Sequence, residues 1–101
     1  MVSVLERFLE YIKLDTTSLE ESETYPSSPN QLIFGRNLAR ELQELGLEDV
    51  VQDEHGYVTA TIPATKEGGP VLGLVSHMDT SSAVSGCNIC PHIVDYQGGD
   101  I

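Results

Sequence analysis

The two residues of this sequence best suited to carry chemistry are His77 and Asp79, spaced His-x-Asp. A neutral imidazole is a common zinc ligand, at about 2.0–2.1 Å from the metal. Its second ring nitrogen normally donates a hydrogen bond to a carboxylate or a carbonyl, which fixes the tautomer and the orientation of the ring. In an extended chain, residues two apart point to the same side, so Asp79 can accept that bond. We therefore predict His77 as a metal ligand and Asp79 as the catalytic-site carboxylate that orients it.

The same pair also allows a purely structural interpretation. His77 would then be a strand-end histidine that is hydrogen-bonded within a turn, and Asp79 would cap the next element. A His-x-Asp pair is a weak motif when it stands alone, so the spacing by itself leaves both interpretations open.

The residues just before the pair, from Val71 to Val75, are almost continuously apolar. Such a run is typical of a strand that is buried on both faces of a parallel or mixed sheet. In open α/β sheets, ligands gather just beyond the carboxyl ends of the strands. The sequence therefore predicts a central strand over residues 71–75 that delivers His77 and Asp79 to a crevice.

Two helices are predicted near the start of the chain. Apolar residues at helical spacing predict an amphipathic helix over residues 4–14, packed on a core. Ser28 and Gln31 predict the capping box of a second helix, with Pro29 in its first position. Gly46 predicts the end of that helix, as the left-handed residue that follows it.

A hairpin is predicted between the second helix and the central strand. Residues 47–52 and 57–62 read as two short strands, and His55 and Gly56 lie at the turn between them. His55 is thus a turn residue in this interpretation. The predicted element order is α, α, β, β, β, which places the chain in the α/β class as the start of a larger domain.

Two polar segments keep several interpretations open. Residues 15–29 form a long connector whose acidic side chains are more typical of a solvated face than of a metal site, and its role is not predicted. Cys87 and Cys90 form a Cys-x-x-Cys pair, with His92 two residues further on. These residues read as a surface loop with no joint role, as part of a structural zinc site, or as a dithiol redox pair.

Composition narrows the class of protein. The 101 residues suffice for one small domain, and 16 acidic against 5 basic side chains give a formal net charge of -11. That charge argues against binding to nucleic acid or to an anionic membrane surface. The sequence has no apolar run of about 18 residues and no signal-peptide core. Two cysteines do not make a secreted disulfide framework, so a cytoplasmic location is predicted.

Several segments of the chain resemble one family. Residues 73–81, Gly-Leu-Val-Ser-His-Met-Asp-Thr-Ser, resemble the first metal-binding motif of the peptidase T family, the tripeptide aminopeptidases among the co-catalytic zinc exopeptidases. Three other segments resemble the same family in order along the chain: residues 6–16, residues 46–64, and the Gly-Gly-Asp-Ile of residues 98–101.

The resemblance implies a zinc-exopeptidase catalytic domain of which residues 1–101 form the N-terminal portion, truncated before most of the active site. The parent enzyme is then expected to release the N-terminal residue from tripeptides by attack of metal-activated water. The family implies two zinc ions, a bridging aspartate and a general-base glutamate, most of them held by later segments. Only the roles of His77 as zinc ligand and Asp79 as orienting carboxylate transfer to this chain.

The resemblance also implies the expected partners. A small peptide is the expected substrate, no nucleic acid or membrane partner is expected, and a homo-oligomeric parent is left open. The fragment alone is expected to be inactive. The alternative function is a standalone acidic module that binds a partner or a structural metal through Cys87, Cys90 and His92.

Overall fold

The computed structural model describes residues 1–101 and contains two helices followed by a two-stranded sheet. The helices are α1 (Val4–Tyr11) and α2 (Pro29–Glu44), and the strands are β1 (Glu48–Gln52) and β2 (Val58–Thr61). The strands are antiparallel, and α2 packs against both of them. The predicted α/β class, with two helices and a hairpin, is therefore confirmed.

None of the helices combines the length and the apolar character needed to cross a membrane.

A capping box begins α1. The Ser3 hydroxyl accepts a hydrogen bond from the Glu6 amide at 3.2 Å, and the Glu6 carboxylate accepts one from the Ser3 amide at 2.6 Å. These two bonds satisfy amides that have no partner inside the helix. The helix then runs to Tyr11, so the predicted span of residues 4–14 is three residues too long at its C-terminal end.

The cap makes α1 sensitive to acid. The hydrogen bond from the Ser3 amide, followed by that from the Ser3 hydroxyl, holds the pKa of Glu6 below its usual 4.5. Because the folded pKa is lowered, the carboxylate stabilises the helix above pH 4.5 and this contribution is lost as the pH falls through the lowered value. We expect the helical NMR shifts of residues 4–11 to weaken over that range.

The matched variant for this prediction is Glu6→Gln, whose amide cannot titrate. Both proteins share every other carboxylate, so the difference between their two pH profiles reports Glu6 alone. Superimposable profiles for the two proteins would contradict the assignment of the cap.

The start of α2 differs from the prediction. Ser28 occupies the position before the helix and Pro29 its first position, as predicted, but the Ser28 side chain makes no capping bond. Gln31 instead donates to the carbonyl of Thr16 at 3.3 Å and to the hydroxyl of Ser27 at 3.2 Å. The predicted capping box is therefore wrong, because Gln31 is buried against the connector and satisfies a carbonyl there.

The end of α2 agrees with the prediction. Gly46 has a φ of +83°, its amide donates to Gln43 at 2.9 Å, and the amide of Leu47 donates to Leu42 at 3.1 Å. This pair of bonds is the Schellman arrangement, in which a left-handed glycine closes the helix. A Cβ at Gly46 would meet no atom within 4 Å, so backbone conformation alone explains the glycine.

Gly46→Ala is therefore expected to lower the free energy of unfolding by about 1 kcal/mol, the cost of a left-handed backbone for a residue with a Cβ. Urea denaturation followed by circular dichroism measures it. Gly69→Ala is the control, since Gly69 is equally open and no positive φ is recorded there. Equal midpoints for the two variants would count against the left-handed end.

α2 packs against one face of the hairpin formed by β1 and β2. Gly35 is buried at the crossing, where a Cβ would lie 2.4 Å from the Gln52 Nε2 and 3.3 Å from the Val58 Cγ2. The Gln52 side chain donates to the carbonyl of Leu32 at 3.0 Å and so joins β1 to the helix. The absence of a side chain at Gly35 is what allows the helix to approach the sheet this closely.

The segment predicted as a central strand is not a strand here. Residues 71–79 have no regular secondary structure, and Val71, Leu72, Leu74 and Val75 are 82–101% exposed. A strand needs a neighbour for its backbone, and β1 and β2 pair only with each other. The prediction of a strand buried on both faces is therefore wrong for this chain.

The apolar face of α1 is also more open than predicted. Val4, Leu5 and Phe8 are all more than half exposed, and no apolar side chain of the chain is fully buried. The one aromatic contact of the helix is between Tyr11 and Phe34 of α2, edge to face at 5.2 Å between ring centroids. The aromatic packing of α1 on α2 is thus limited to the C-terminal turn of α1.

Candidate functional site

The residues around Asp79 are held by the polar connector rather than by the predicted strand. Thr17 and Thr80 form a parallel bridge between the two segments. The Ser18 amide donates to the carbonyl of Thr80 at 3.0 Å, and the Thr80 amide donates to the carbonyl of Thr16 at 3.3 Å. Thr16, at one end of this pairing, is buried.

Asp15 fixes the shape of the connector. Its carboxylate accepts hydrogen bonds from the Thr17 amide at 3.0 Å and from the Thr17 hydroxyl, the pattern of an Asx turn. Its other carboxylate oxygen accepts from the Cys87 thiol at 2.8 Å, and its carbonyl accepts from Asn30 at 2.9 Å. The connector is therefore tied both to α2 and to the loop that follows Thr80.

His77 and Asp79 contact each other directly. The His77 Nδ1 lies 2.9 Å from the Asp79 Oδ1, at hydrogen-bonding distance. The Ser18 hydroxyl donates to the second carboxylate oxygen, Oδ2, of Asp79. The His77 side chain is 82% exposed and that of Asp79 is 43% exposed, so the pair lies at an open surface. The two side chains that the sequence analysis singled out thus lie on the same side of the chain.

The charges of this cluster follow from its hydrogen bonds. The bond from Ser18, followed by that from His77, holds the pKa of Asp79 below its usual range. An ionised carboxylate has no proton to donate, so the proton between Asp79 and the His77 Nδ1 belongs to the imidazole. In the neutral ring this arrangement leaves the lone pair of Nε2 free.

The neighbouring pair of Asp15 and Cys87 is polarised in the opposite sense. The Cys87 thiol, together with Thr17, lowers the pKa of the Asp15 carboxyl. The Asp15 carboxylate in turn raises the pKa of the Cys87 thiol, because it accepts the thiol proton and repels the thiolate. Cys87 is therefore held as a neutral thiol rather than as a nucleophile or a metal-binding thiolate.

An open pocket of about 450 Å³ lies beside His77 and Asp79. Its walls come from the end of α1, from α2 and from the loop after Thr80, and they include Phe8, Tyr11, Phe34 and Ile89. An apolar hollow with a polar pair at its edge has the form expected of a small-molecule site. The pair is therefore not enclosed in apolar packing.

The other candidate ligands are not brought together. Cys87 and Cys90 are both free and exposed, and Cys90 contacts the carbonyl of Asn88. No three or more His, Cys, Asp or Glu side chains of residues 1–101 form a group that could hold a metal ion. The structural-metal alternative with His92 therefore has no preformed site. His55 lies in the hairpin turn, as predicted, where Asp53 accepts from its amide at 3.0 Å.

Comparison with known proteins adds a second line of argument. No family model matches the chain. A protein named Peptidase T from Parabacteroides distasonis is 48% identical over 101 residues, and one from Halothermothrix orenii is 50% identical over 103. A third, from Caldanaerobacter subterraneus subsp. tengcongensis, is 52% identical over 103 residues. These alignments cover 99–100% of this chain. The chain is homologous to peptidase T.

The alignments cover only part of each relative. The chain spans about a quarter, 25%, of the length of each of these peptidase T proteins. The predicted resemblance to peptidase T is thus confirmed along the whole chain.

The structure adds three residues that the sequence analysis did not assign to the site. Ser18, Thr16 and Asp15 all lie in the connector whose role was left open. Ser18 and Thr16 bond to Asp79 and Thr80 in the segment that resembles the peptidase T metal motif, whereas Asp15 bonds to Thr17 and to Cys87. The Asp-x-Thr spacing of residues 15–17 is a recognisable Asx-turn signal. That signal predicts a shaped loop, whereas its pairing with a segment about 60 residues away has no local signature.

Proposed function

We propose that this chain supplies part of the active site of a zinc-dependent aminopeptidase that releases the N-terminal residue from tripeptides. His77 is the zinc ligand and Asp79 orients its imidazole. The observation that carries the proposal is the 2.9 Å contact between the His77 Nδ1 and Asp79, with Nε2 left free at an open surface. The homology to peptidase T supports the reaction and the substrate class.

The donor set fits zinc in kind. A neutral imidazole nitrogen is a preferred zinc ligand, and a carboxylate on the second nitrogen is the usual means of fixing the ring. The lowered pKa of Asp79 keeps that carboxylate ionised at neutral pH. Its negative charge lies next to the ring and therefore favours a cation bound on the opposite nitrogen.

The donor set is incomplete in number. A catalytic zinc needs three protein ligands and an open position, and residues 1–101 contain no such group. We propose that this chain is part of a single catalytic domain. The remaining zinc ligands and the general base would then come from segments other than residues 1–101. A cytoplasmic location and the inactivity of the chain alone stay predictions.

The residues present have defined tasks in this reaction. Zinc, when bound, polarises the peptide carbonyl and lowers the pKa of the attacking water. His77 presents Nε2 for coordination, and Asp79 accepts the hydrogen bond from Nδ1–H so that the ring keeps one tautomer. The open pocket beside the pair leaves space for a short peptide next to the site.

A graft tests the proposal. The matching quarter of the Parabacteroides distasonis relative is replaced by this chain, which aligns with it over 101 residues. We expect the graft to release the N-terminal residue from a tripeptide, to lose activity with a chelator, and to regain it with zinc. The same tripeptide with an acetylated N-terminus is the control and should resist cleavage. Activity that is unaffected by chelation would overturn the zinc assignment.

A further inference from the structure

We infer that Ser18 is a positioning residue, which holds the Asp79 carboxylate so that only one of its oxygens serves His77. This inference rests on the function proposed above and extends it to the connector. The Ser18 hydroxyl donates to Oδ2 of Asp79, while Oδ1 of the same carboxylate faces the His77 Nδ1 at 2.9 Å. Each oxygen therefore has one partner, and rotation of the carboxylate would break both contacts.

The position of the Ser18 hydroxyl is itself determined by the backbone. The Ser18 amide donates to the carbonyl of Thr80 at 3.0 Å, and the Thr80 amide donates to Thr16 at 3.3 Å. These bonds lie on both sides of the Thr17–Thr80 bridge, so Ser18 and Asp79 face each other from paired segments. They do not depend on the Ser18 side chain, so removal of its hydroxyl leaves them in place.

A close approach of the next loop supports the same arrangement. A Cβ on Gly86 would lie 2.5 Å from the Asp15 Oδ1, 2.6 Å from the Thr17 Oγ1 and 3.3 Å from the Thr80 Oγ1. Gly86 thus lies against the bridge between the two segments, where a side chain would not fit. The connector therefore contacts Asp79 through a paired backbone and a side-chain hydrogen bond.

The metal-free chain provides the first test, by NMR of ring ¹⁵N shifts at a pH of about 8.5, where imidazoles are neutral. In the wild type we expect the Nδ1–H tautomer of His77 to dominate. In Ser18→Ala the ratio of the two tautomers should fall about 3- to 10-fold, the effect of one hydrogen bond. Ser18→Thr, which keeps the hydroxyl, should restore the ratio.

The controls lie within the same chain. His55 and His92, the other two of its three histidines, report in the same spectrum and should not respond to Ser18→Ala. Ser22→Ala removes a hydroxyl that bonds only to Thr24 within its own loop, and it should leave His77 unchanged. A His77 tautomer ratio that is the same in the wild type and in Ser18→Ala, or one that Ser18→Thr does not restore, would overturn the inference.

Zinc titration of the grafted enzyme separates this inference from the proposed function. Removal of a residue that orients a metal ligand costs about 10- to 100-fold in metal affinity, and we expect Ser18→Ala to fall at the lower end of that range. Binding of zinc with no loss in Ser18→Ala refutes the positioning role alone. A tautomer shift in Ser18→Ala without any zinc binding by the wild type keeps the role of Ser18 and refutes the proposed function.

Discussion

His77→Ala is expected to lower tripeptide hydrolysis by the grafted enzyme on the order of 10³-fold. Metal coordination at a peptide carbonyl contributes several kcal/mol to the stability of the transition state, and each 1.36 kcal/mol corresponds to a factor of ten in rate. The loss should appear mainly in kcat, because the metal acts more strongly on the transition state than on the bound peptide. Initial rates with a tripeptide and zinc in excess measure it.

His55→Ala is the matched control for this variant. His55 is also an exposed imidazole next to acidic side chains, but its nearest carboxylate oxygens, on Glu54 and Asp53, are 3.9–4.0 Å away in the hairpin turn. Its replacement should leave the rate within about twofold of the wild type, as a surface substitution with no role in the site. If both histidine variants retained the same activity, His77 would not be a ligand of the catalytic metal.

Gly35→Leu is expected to be the most destabilising substitution in the fold. A Cβ at this position would lie 2.4 Å from the Gln52 Nε2 and 3.3 Å from the Val58 Cγ2, and leucine adds three carbons beyond the Cβ. Overpacking of this kind costs about 1–3 kcal/mol, and displacement of Gln52 also breaks its bond to Leu32. We expect α2 to separate from the hairpin, with a lower urea midpoint and loss of amide protection in β1.

Asn37→Leu is the control in the same helix, because Asn37 is exposed and leucine is a good helix former at either position. Glycine is a poorer helix former than asparagine, so helix propensity alone would favour Gly35→Leu over Asn37→Leu. A lower stability of Gly35→Leu therefore reports packing against the sheet. Equal stability of Gly35→Leu and Asn37→Leu would show that the helix does not lie close to the hairpin at Gly35.

Local patterns predicted the elements whose contacts are near in sequence. The strands at 47–52 and 57–62 were predicted to within one residue at each end, because alternating side chains and a Gly56 turn are both short-range signals. The left-handed Gly46 followed for the same reason. The capping box of Ser3 and Glu6 was not predicted, although its Ser-x-x-Glu spacing is a local signal. The capping box predicted at Ser28 is wrong because Gln31 has a buried partner in the connector.

The central strand was the main error, and its cause is physical. The apolar run from Val71 to Val75 indicates a surface suited to burial under a neighbouring strand or helix. The run alone does not show whether such a neighbour is present. In this chain the run is exposed, and the residues after it are positioned by the connector instead. The contact of His77 with Asp79 agrees with the spacing argument, because it joins side chains only two residues apart in the chain.

The bridge between Thr17 and Thr80 has an energetic consequence for assembly. The bond between Ser18 and Asp79 closes a ring of 61 residues, whereas the hairpin bond from Asp53 to Tyr57 closes one of only four. The longer closure costs roughly 2 kcal/mol more in chain entropy. One hydrogen bond contributes only about 1 kcal/mol, which is less than this extra cost. The contacts that position His77 and Asp79 must therefore form and break together.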